Sequence, residues 1–143
     1  MNLHVDAVHR LLVEDDLYIL PSYVLRQPTD NSCLYDALAC GLHRSFPHLS
    51  FDATTLRLNI NNYIVANPFA AISLDSSVTI TISDAITTLG DSSIERYIVN
   101  QSNLRSWGGI IEIAICATMY TVNIFVFRPI SSTDVLQATG TFV

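Results

Sequence analysis

Lysine is absent from this 143-residue sequence: the seven basic residues are all arginines, and thirteen acidic residues set the formal charge at −6 with neutral histidines. Charged residues make up 14% of the chain and hydrophobic residues 50%, which excludes a disordered or collagen-like chain. A chain with so few cations releases few counterions from a phosphate backbone, so we expect no nucleic-acid partner. The length predicts a single domain over residues 1–143.

Long apolar runs are also missing. No window approaches the roughly 18 uninterrupted apolar residues that a membrane-spanning helix needs. The N-terminus carries His4, Asp6 and Glu14 where a signal peptide has basic and then apolar residues. We therefore expect no membrane partner and a cytoplasmic location.

Cysteine is scarce and odd in number. Cys33, Cys40 and Cys116 show neither a Cys-x-x-Cys pair nor Cys/His ligand spacing, which argues against a disulfide framework and against structural zinc. A reducing compartment with free thiols fits this pattern. Cys40 and Cys116 lie among apolar helix positions, so we expect both in the core.

The apolar periodicity predicts helices around a small sheet, in an α/β or α+β arrangement. The predicted elements of the first half are a short helix over 4–13, an extended segment over 17–25 interrupted at Pro21, a helix from Cys33 to before Pro47, and a helix capped by Asp52 that stops near Pro68. Those of the second half are a helix through 78–82, a helix pair separated by Gly90 with Asp91 capping 94–99, a helix over 110–119 with Glu112 in its first turn, and a central strand over 120–128.

A thiol lies between a polar turn and a helix in the segment Asp30-Asn31-Ser32-Cys33-Leu34-Tyr35-Asp36-Ala37-Leu38. The unpaired N–H groups and the positive dipole end of a helix stabilise a thiolate, and the same N–H groups can hold a developing oxyanion. The competing interpretation is that Cys33 is a small buried residue at a helix–loop junction. Local context leaves both interpretations open.

The same segment resembles the nucleophile motif of the ovarian-tumour (OTU) family of cysteine proteases, usually Asp-Gly-Asn-Cys-Leu-Phe/Tyr-x-Ala. The family also carries Trp-Gly-Gly-x-x-Glu-hydrophobic on a downstream helix, followed by an apolar strand. Two motifs in this order extend the likeness over residues 20–128. The matching residues are Asp30, Cys33, Leu34, Tyr35 and Ala37, then Trp107-Gly108-Gly109-Ile110-Ile111-Glu112-Ile113, then Asn123-Ile124-Phe125-Val126.

This resemblance implies an α+β, papain-like deubiquitinase with a small central sheet flanked by helices. Cys33 would be the nucleophile on the isopeptide carbonyl after the ubiquitin C-terminal Gly-Gly, and Asp30 would shape the turn that binds the oxyanion. A histidine would be the base, and no cofactor is implied. Asn31 stands where the family usually has Gly, and Ser32 where it has Asn, which alters the oxyanion-binding turn.

The histidine is the main departure from the family pattern. The family places it, before an aromatic residue, on a strand after the one predicted at 120–128, and this sequence has no histidine beyond His48. A domain shortened at its C-terminus, an inactive module, and a permuted topology with the base at His9 or less favourably His4 would each explain this. The first two together are favoured, because a histidine on a short amphipathic helix over 4–13 would face solvent. His43 and His48 follow the nucleophile helix at its far end, about 15 Å away.

Three functions stay open at this stage. The first is an OTU-type thiol protease acting on ubiquitin or a ubiquitin-like protein, of a virus or of a microbe that manipulates its host. The second is an inactive OTU-like module that binds ubiquitin or another protein, and the third is a small domain that shares only ancestry. We expect Trp107 to be a packing residue at the helix start, with a place on the rim of the site as the lesser alternative.

Overall fold

The computed structural model describes the backbone of residues 3–13, 16–26, 32–75, 78–90, 92–129 and 136–142, and the side chains of 32–127 within these ranges together with 140 and 142. Within these residues the chain forms six strands and five helices. They are β1 (Leu3–Val13), β2 (Asp16–Arg26), α1 (Cys33–Ser45), α2 (Ala53–Ala66), β3 (Ala71–Leu74), β4 (Val78–Thr81), α3 (Ile82–Leu89), α4 (Ile94–Gln101), α5 (Ile110–Tyr120), β5 (Ile124–Pro129) and β6 (Leu136–Phe142).

The strands form two antiparallel sheets, one of four strands in the order β1-β2-β6-β5 and one of two strands, β3-β4. β1 shifts its register between Val5 and Val8, and Pro21 of β2 lies opposite Val8. Proline has no N–H to give to a strand ladder and is accommodated at such irregularities. The predicted extended segment is therefore confirmed, but β2 runs without a break through Pro21, and the irregularity lies in its pairing with β1.

The core lies among the helices and is completed by β3 and β6. Helices packed beside antiparallel sheets define an α+β fold, which confirms the fold class implied by the sequence. The large apolar side chains that are 3% exposed or less are Tyr35 and Leu42 of α1, Leu56, Ile60 and Ile64 of α2, Ile72 of β3, Ile82 and Ile86 of α3, Ile115 and Cys116 of α5, and Phe142 of β6.

Local signals position the helices that frame the thiol. α1 begins at Cys33 and ends at Ser45, as predicted from Pro47. Asp52 caps α2, accepting a hydrogen bond from the Thr55 N–H at 2.7 Å, and this bond holds the pKa of the Asp52 carboxyl below its usual range. α5 begins directly after Gly109. These boundaries were predictable because each depends on residues adjacent in sequence.

Two segments predicted as helices are strands. Residues 4–13 form β1, which pairs with β2 along its length, and a ten-residue helix is marginal unless tertiary packing supports it. Residues 78–81 form β4, whose four β-branched residues pair with 71–74, and the helix starts only at Ile82. Strand pairing, a non-local interaction, decides both segments.

β5 was predicted to be a central strand and is instead an edge strand of the four-stranded sheet as described. Both faces of β5 are apolar, but not because the strand is central. Ile124 and Val126 pack against the core, while the rings of Phe125 and Phe127 lie 6.3 Å apart on the other face. The helix cap was also wrong, because Ser93, not Asp91, accepts the hydrogen bond from the Arg96 N–H that caps α4.

Candidate active site

Cys33 is the first residue of α1, and its side chain is half-buried. Ser32 is the N-cap residue, and its carbonyl accepts the Asp36 N–H at 2.9 Å, closing the first helical turn. The Ser32 side chain makes no capping hydrogen bond to α1. Instead its hydroxyl donates to the carbonyl of Leu104, 3.3 Å away, on the segment before α5. The thiol thus lies where the amino-terminal end of the helix dipole favours an anion.

Gly108 brings the second motif onto the first turn of α1. A Cβ atom on Gly108 would lie 2.6 Å from Leu34 Cδ2, closer than non-bonded carbon atoms approach, and 3.1 Å from Tyr35 Cε2, a tight contact. The backbone of the Trp-Gly-Gly segment therefore packs directly on the two residues that follow Cys33. The structure joins the two motifs that the sequence separates by about seventy positions.

Glu112 fixes the start of α5 from inside the protein. Its side chain is 2% exposed; Oε1 accepts the Gly109 N–H at 2.8 Å and Oε2 accepts a hydrogen bond from the Tyr97 hydroxyl. The first bond satisfies an N–H that the helix start leaves without a partner. Burial raises the pKa of Glu112, while these two hydrogen bonds act in the opposite direction.

Tyr35 connects α1 to α4. Its ring is fully buried, and its hydroxyl donates to Gln101 Oε1 at 3.1 Å. Gln101 in turn donates from Nε2 to the carbonyl of Trp107 at 3.2 Å. Burial and the nearby Glu112 raise the pKa of Tyr35, so its hydroxyl stays protonated and remains a donor. A polar chain therefore runs from the first turn of α1 to the Trp-Gly-Gly segment.

Trp107 does not pack as expected. Its side chain is 69% exposed, and Leu104 and Ile110 on either side of it in sequence are 55% and 43% exposed. The helix start is held by Glu112 and Gly108 instead, and the exposed indole belongs to the residue just before the glycine that packs on Leu34 and Tyr35. The rim interpretation fits this position.

The other two cysteines differ in burial. Cys116 is fully buried in α5, as predicted, and burial raises the pKa of its thiol to about 12. Cys40 is half-buried, so its assignment to the core was only partly right.

The structure describes only some of the residues that the sequence predicts to act with Cys33. Asp30 lies outside the described residues. His9 and His4 lie on β1, where they pair with Leu20 and Leu25, and Cα atoms of β1 and α1 come within 8 Å of each other. The prediction that His9 faces solvent depended on a helix over 4–13, and these residues form a strand instead.

The remaining two histidines lie at the far end of α1. His43 is exposed in its last turn, with Nδ1 3.2 Å from the Leu49 carbonyl oxygen, and His48 follows the helix. Because α1 is a continuous helix from Cys33 to Ser45, ten residues of helix, about 15 Å, separate His43 from Cys33.

The sequence analysis did not single out Arg57 and Tyr97. The Arg57 side chain donates hydrogen bonds to the segment before α5, and the Tyr97 hydroxyl donates one to Glu112 at the start of α5. Arg57 was detectable, because it lies three and seven residues before Ile60 and Ile64 on the buried stripe of α2. Tyr97 gave no such signal, since it was one of several apolar residues in a short helix. A basic residue on an apolar stripe indicates a buried polar network.

The described part of the chain holds neither a cluster of metal-ligating side chains nor a membrane-spanning helix. No group of three or more His, Cys, Asp or Glu side chains there is arranged to hold a metal ion. No described helix has the length and apolar character to cross a membrane.

Comparison with known proteins agrees with this geometry. A family model for OTU-like cysteine proteases matches residues 28–141, a range that includes both motifs. Searches of curated proteins and of solved structures returned no match.

Proposed function

The chain belongs to the OTU-like cysteine protease family, and from that membership we propose that it is a thiol isopeptidase acting on ubiquitin or ubiquitin-like conjugates. The observation that carries the proposal is the location of Cys33 at the first residue of α1, with Gly108 of the second motif packed on the next two residues. A thiol that only filled space would not need a second motif to fix its helix start.

The proposed reaction has two stages. The Cys33 thiolate attacks the isopeptide carbonyl carbon, a C–S bond forms, and the carbonyl π electrons move to oxygen. Collapse of this tetrahedral species breaks the C–N bond, the base delivers its proton to the leaving amine, and a thioester remains. Water then attacks the thioester carbon while the base takes one of its protons, and the C–S bond breaks with its electron pair on sulfur. The base returns that proton to the Cys33 sulfur, and the ubiquitin C-terminus leaves as a carboxylic acid that ionises. No step requires a cofactor.

The oxyanion would be held by backbone N–H groups at the start of α1, and Asp30 would shape the preceding turn. The Ser32 hydroxyl supports this role, because it donates to the Leu104 carbonyl and makes no capping hydrogen bond to the N–H groups in the first turn of α1. Donors fixed before the reaction stabilise the developing charge without reorganisation.

We propose His9 as the general base. It lies on β1, whose Cα atoms come within 8 Å of those of α1, and this supports a place near the nucleophile helix over a solvent-facing helix. His9→Ala should raise the midpoint of the pH profile of Cys33 alkylation and lower ubiquitin hydrolysis by about 10²- to 10⁴-fold, the usual contribution of a general base. His48→Ala is the matched control, since His48 follows the far end of α1. An unchanged profile in His9→Ala would remove it from the mechanism.

The substrate and location follow from the same chemistry. Trp107 and its exposed apolar neighbours would flank the flexible C-terminal tail of ubiquitin as it enters the site. All three cysteines are free, which fits a reducing compartment such as the cytosol of the cell or of an infected host.

The direct test uses ubiquitin with a C-terminal propargylamide, which captures a thiolate next to its Gly-Gly end. We expect one ubiquitin to be added to the chain and to Cys40→Ala, and none to Cys33→Ala. Parallel reactions with ubiquitin-like proteins carrying the same electrophile identify the preferred modifier. Addition that persists in Cys33→Ala would contradict the proposal.

A second function, binding without hydrolysis, is favoured by one observation. Among the side chains that the structure describes, the histidines are His43 and His48, both at the far end of α1. Under this alternative the chain binds ubiquitin with the same affinity as Cys33→Ala and releases no product from a fluorogenic ubiquitin amide. Turnover abolished by Cys33→Ala excludes it.

A further inference from the structure

Arg57 is an arginine enclosed by the protein. Its side chain is 2% exposed. Nη1 donates to the carbonyl of Gln101 at 3.0 Å and Nη2 to the carbonyl of Ser106 at 2.8 Å, while Ser32 Oγ and the Leu104 carbonyl each lie 3.4 Å from Nη2. A buried charge is costly unless hydrogen bonds replace its hydration. Here the acceptors come from the N-cap residue of α1, from α4 and from the segment before α5, so one guanidinium joins three parts of the chain.

The same guanidinium stacks on α1. Its Cζ atom lies 4.2 Å from the centre of the Tyr35 ring, a cation–π distance. Tyr35 is two residues after Cys33, and Ser32 is the residue before it. Arg57 therefore contacts the chain on both sides of the thiol without being a neighbour of Cys33 in sequence.

We infer that Arg57 is a positioning residue for Cys33: it sets the start of α1 against residues 104–106 and so fixes where the thiol is held. The inference depends on the proposed function for its consequence in catalysis. Arginine suits this task because its planar fork serves several acceptors at once and stays charged at all physiological pH values. A misplacement of about 1 Å at a reacting group can cost roughly a hundredfold in rate.

The test compares Arg57→Met with Leu56→Ala, both in a Cys40→Ala background so that Cys33 is the accessible thiol. Methionine keeps an unbranched stem but removes every donor. Leu56 is the preceding residue on α2 and is 1% exposed, so its truncation leaves a cavity but removes none of the hydrogen bonds of the Arg57 guanidinium. Both variants are assayed at a temperature where circular dichroism shows them folded.

Three rates or signals are recorded. The first is alkylation of Cys33 by iodoacetamide across pH, which needs no ubiquitin. The second is acrylamide quenching of Trp107, the single tryptophan, which follows the Arg57 acceptor Ser106 directly. The third is the rate of addition to ubiquitin propargylamide.

For Arg57→Met we expect a shifted alkylation profile, altered quenching, and ubiquitin addition slower by about tenfold or more. Leu56→Ala should leave all three unchanged while lowering the urea midpoint at least as much. Arg57→Lys, which keeps the charge but not the fork, should give intermediate values. Where Arg57→Met does not fold, Arg57→Lys against Leu56→Ala makes the same comparison.

Equal effects of Arg57→Met and Leu56→Ala would overturn the inference, since the loss would then be one of general stability; so would unchanged signals in Arg57→Met. Failure of the proposed function looks different. In that case the unmodified chain does not react with ubiquitin propargylamide, while alkylation and quenching still separate Arg57→Met from Leu56→Ala.

Discussion

Gly108→Ala tests the contact that joins the two motifs. The new Cβ atom would lie 2.6 Å from Leu34 Cδ2 and 3.1 Å from Tyr35 Cε2. Leu34 Cδ2 is the free end of a half-buried side chain and can move, whereas the Tyr35 ring is fully buried and held by Gln101 and Arg57. The φ angle of Gly108 is not positive, so the cost is one of space and not of backbone conformation.

Overpacking of this kind costs about 1–3 kcal/mol, and relaxation of Leu34 brings the expected value toward the lower end. Gly109→Ala is the matched control, because its nearest contact would be Glu112 Oε1 at an ordinary 3.9 Å. We expect urea unfolding to show a loss of about 1–2 kcal/mol for Gly108→Ala and much less for Gly109→Ala. Addition of ubiquitin propargylamide to Cys33 should slow in Gly108→Ala alone.

The reasoning also predicts a rescue. Adding Leu34→Ala to Gly108→Ala removes the closest atom, so the double variant should lose less stability than the sum of the single losses. Additive losses would show that the first turn of α1 does not contact Gly108 as described. Equal destabilisation by Gly108→Ala and Gly109→Ala would refute the proposed packing of the two motifs.

Three further predictions follow from burial. Burial raises the pKa of Glu112, so this residue's contribution to the free energy of unfolding is full below the unfolded pKa of about 4.5 and is lost as the pH rises through the folded pKa. The urea midpoint should therefore fall as the pH rises from 4, and Glu112→Gln should flatten that decline. An equal slope in both proteins would contradict the assignment. Cys116, with a pKa near 12 and no exposure, should resist iodoacetamide in the folded chain and react on unfolding, while Cys33 and Cys40 label first in mass spectra. Trp107→Ala should change the free energy of unfolding by no more than about 0.5 kcal/mol, as for other exposed side chains, yet slow ubiquitin addition; an unaltered rate would exclude a rim role.

The helices around the site could be read from the sequence because their ends are set by neighbours along the chain. Pro47 follows the end of α1, Asp52 caps α2, and Gly108 and Gly109 precede α5. Each signal acts within a few residues, through a missing donor, a capping oxygen or a flexible backbone. Cys33 and Glu112 were found for the same reason, since both occupy the first turn of a helix.

The strands that the sequence analysis missed, β1, β3, β4 and β6, could not be read this way because pairing decides them. β1 has apolar residues that suit a helix face or a strand equally, and only its register with β2 selects the strand. β6 carries Gly140 among alternating polar residues, yet it lies between β2 and β5 in the larger sheet. The buried network of Arg57 was missed for a related reason: its acceptors are main-chain carbonyls about fifty positions away.

The hydrogen bonds around Arg57 explain physically the serine at position 32, where the family usually has asparagine. A hydroxyl donates and accepts on one atom, and Ser32 Oγ donates to the Leu104 carbonyl at 3.3 Å while Nη2 of Arg57 approaches it at 3.4 Å. The residue before the thiol therefore attaches the start of α1 to the segment that leads into the second motif. Because the Ser32 hydroxyl bonds to Leu104 and not to the first turn of α1, the position of Cys33 depends on contacts with residues far along the chain. The first motif alone, without the segment that leads into the second, would lack these contacts.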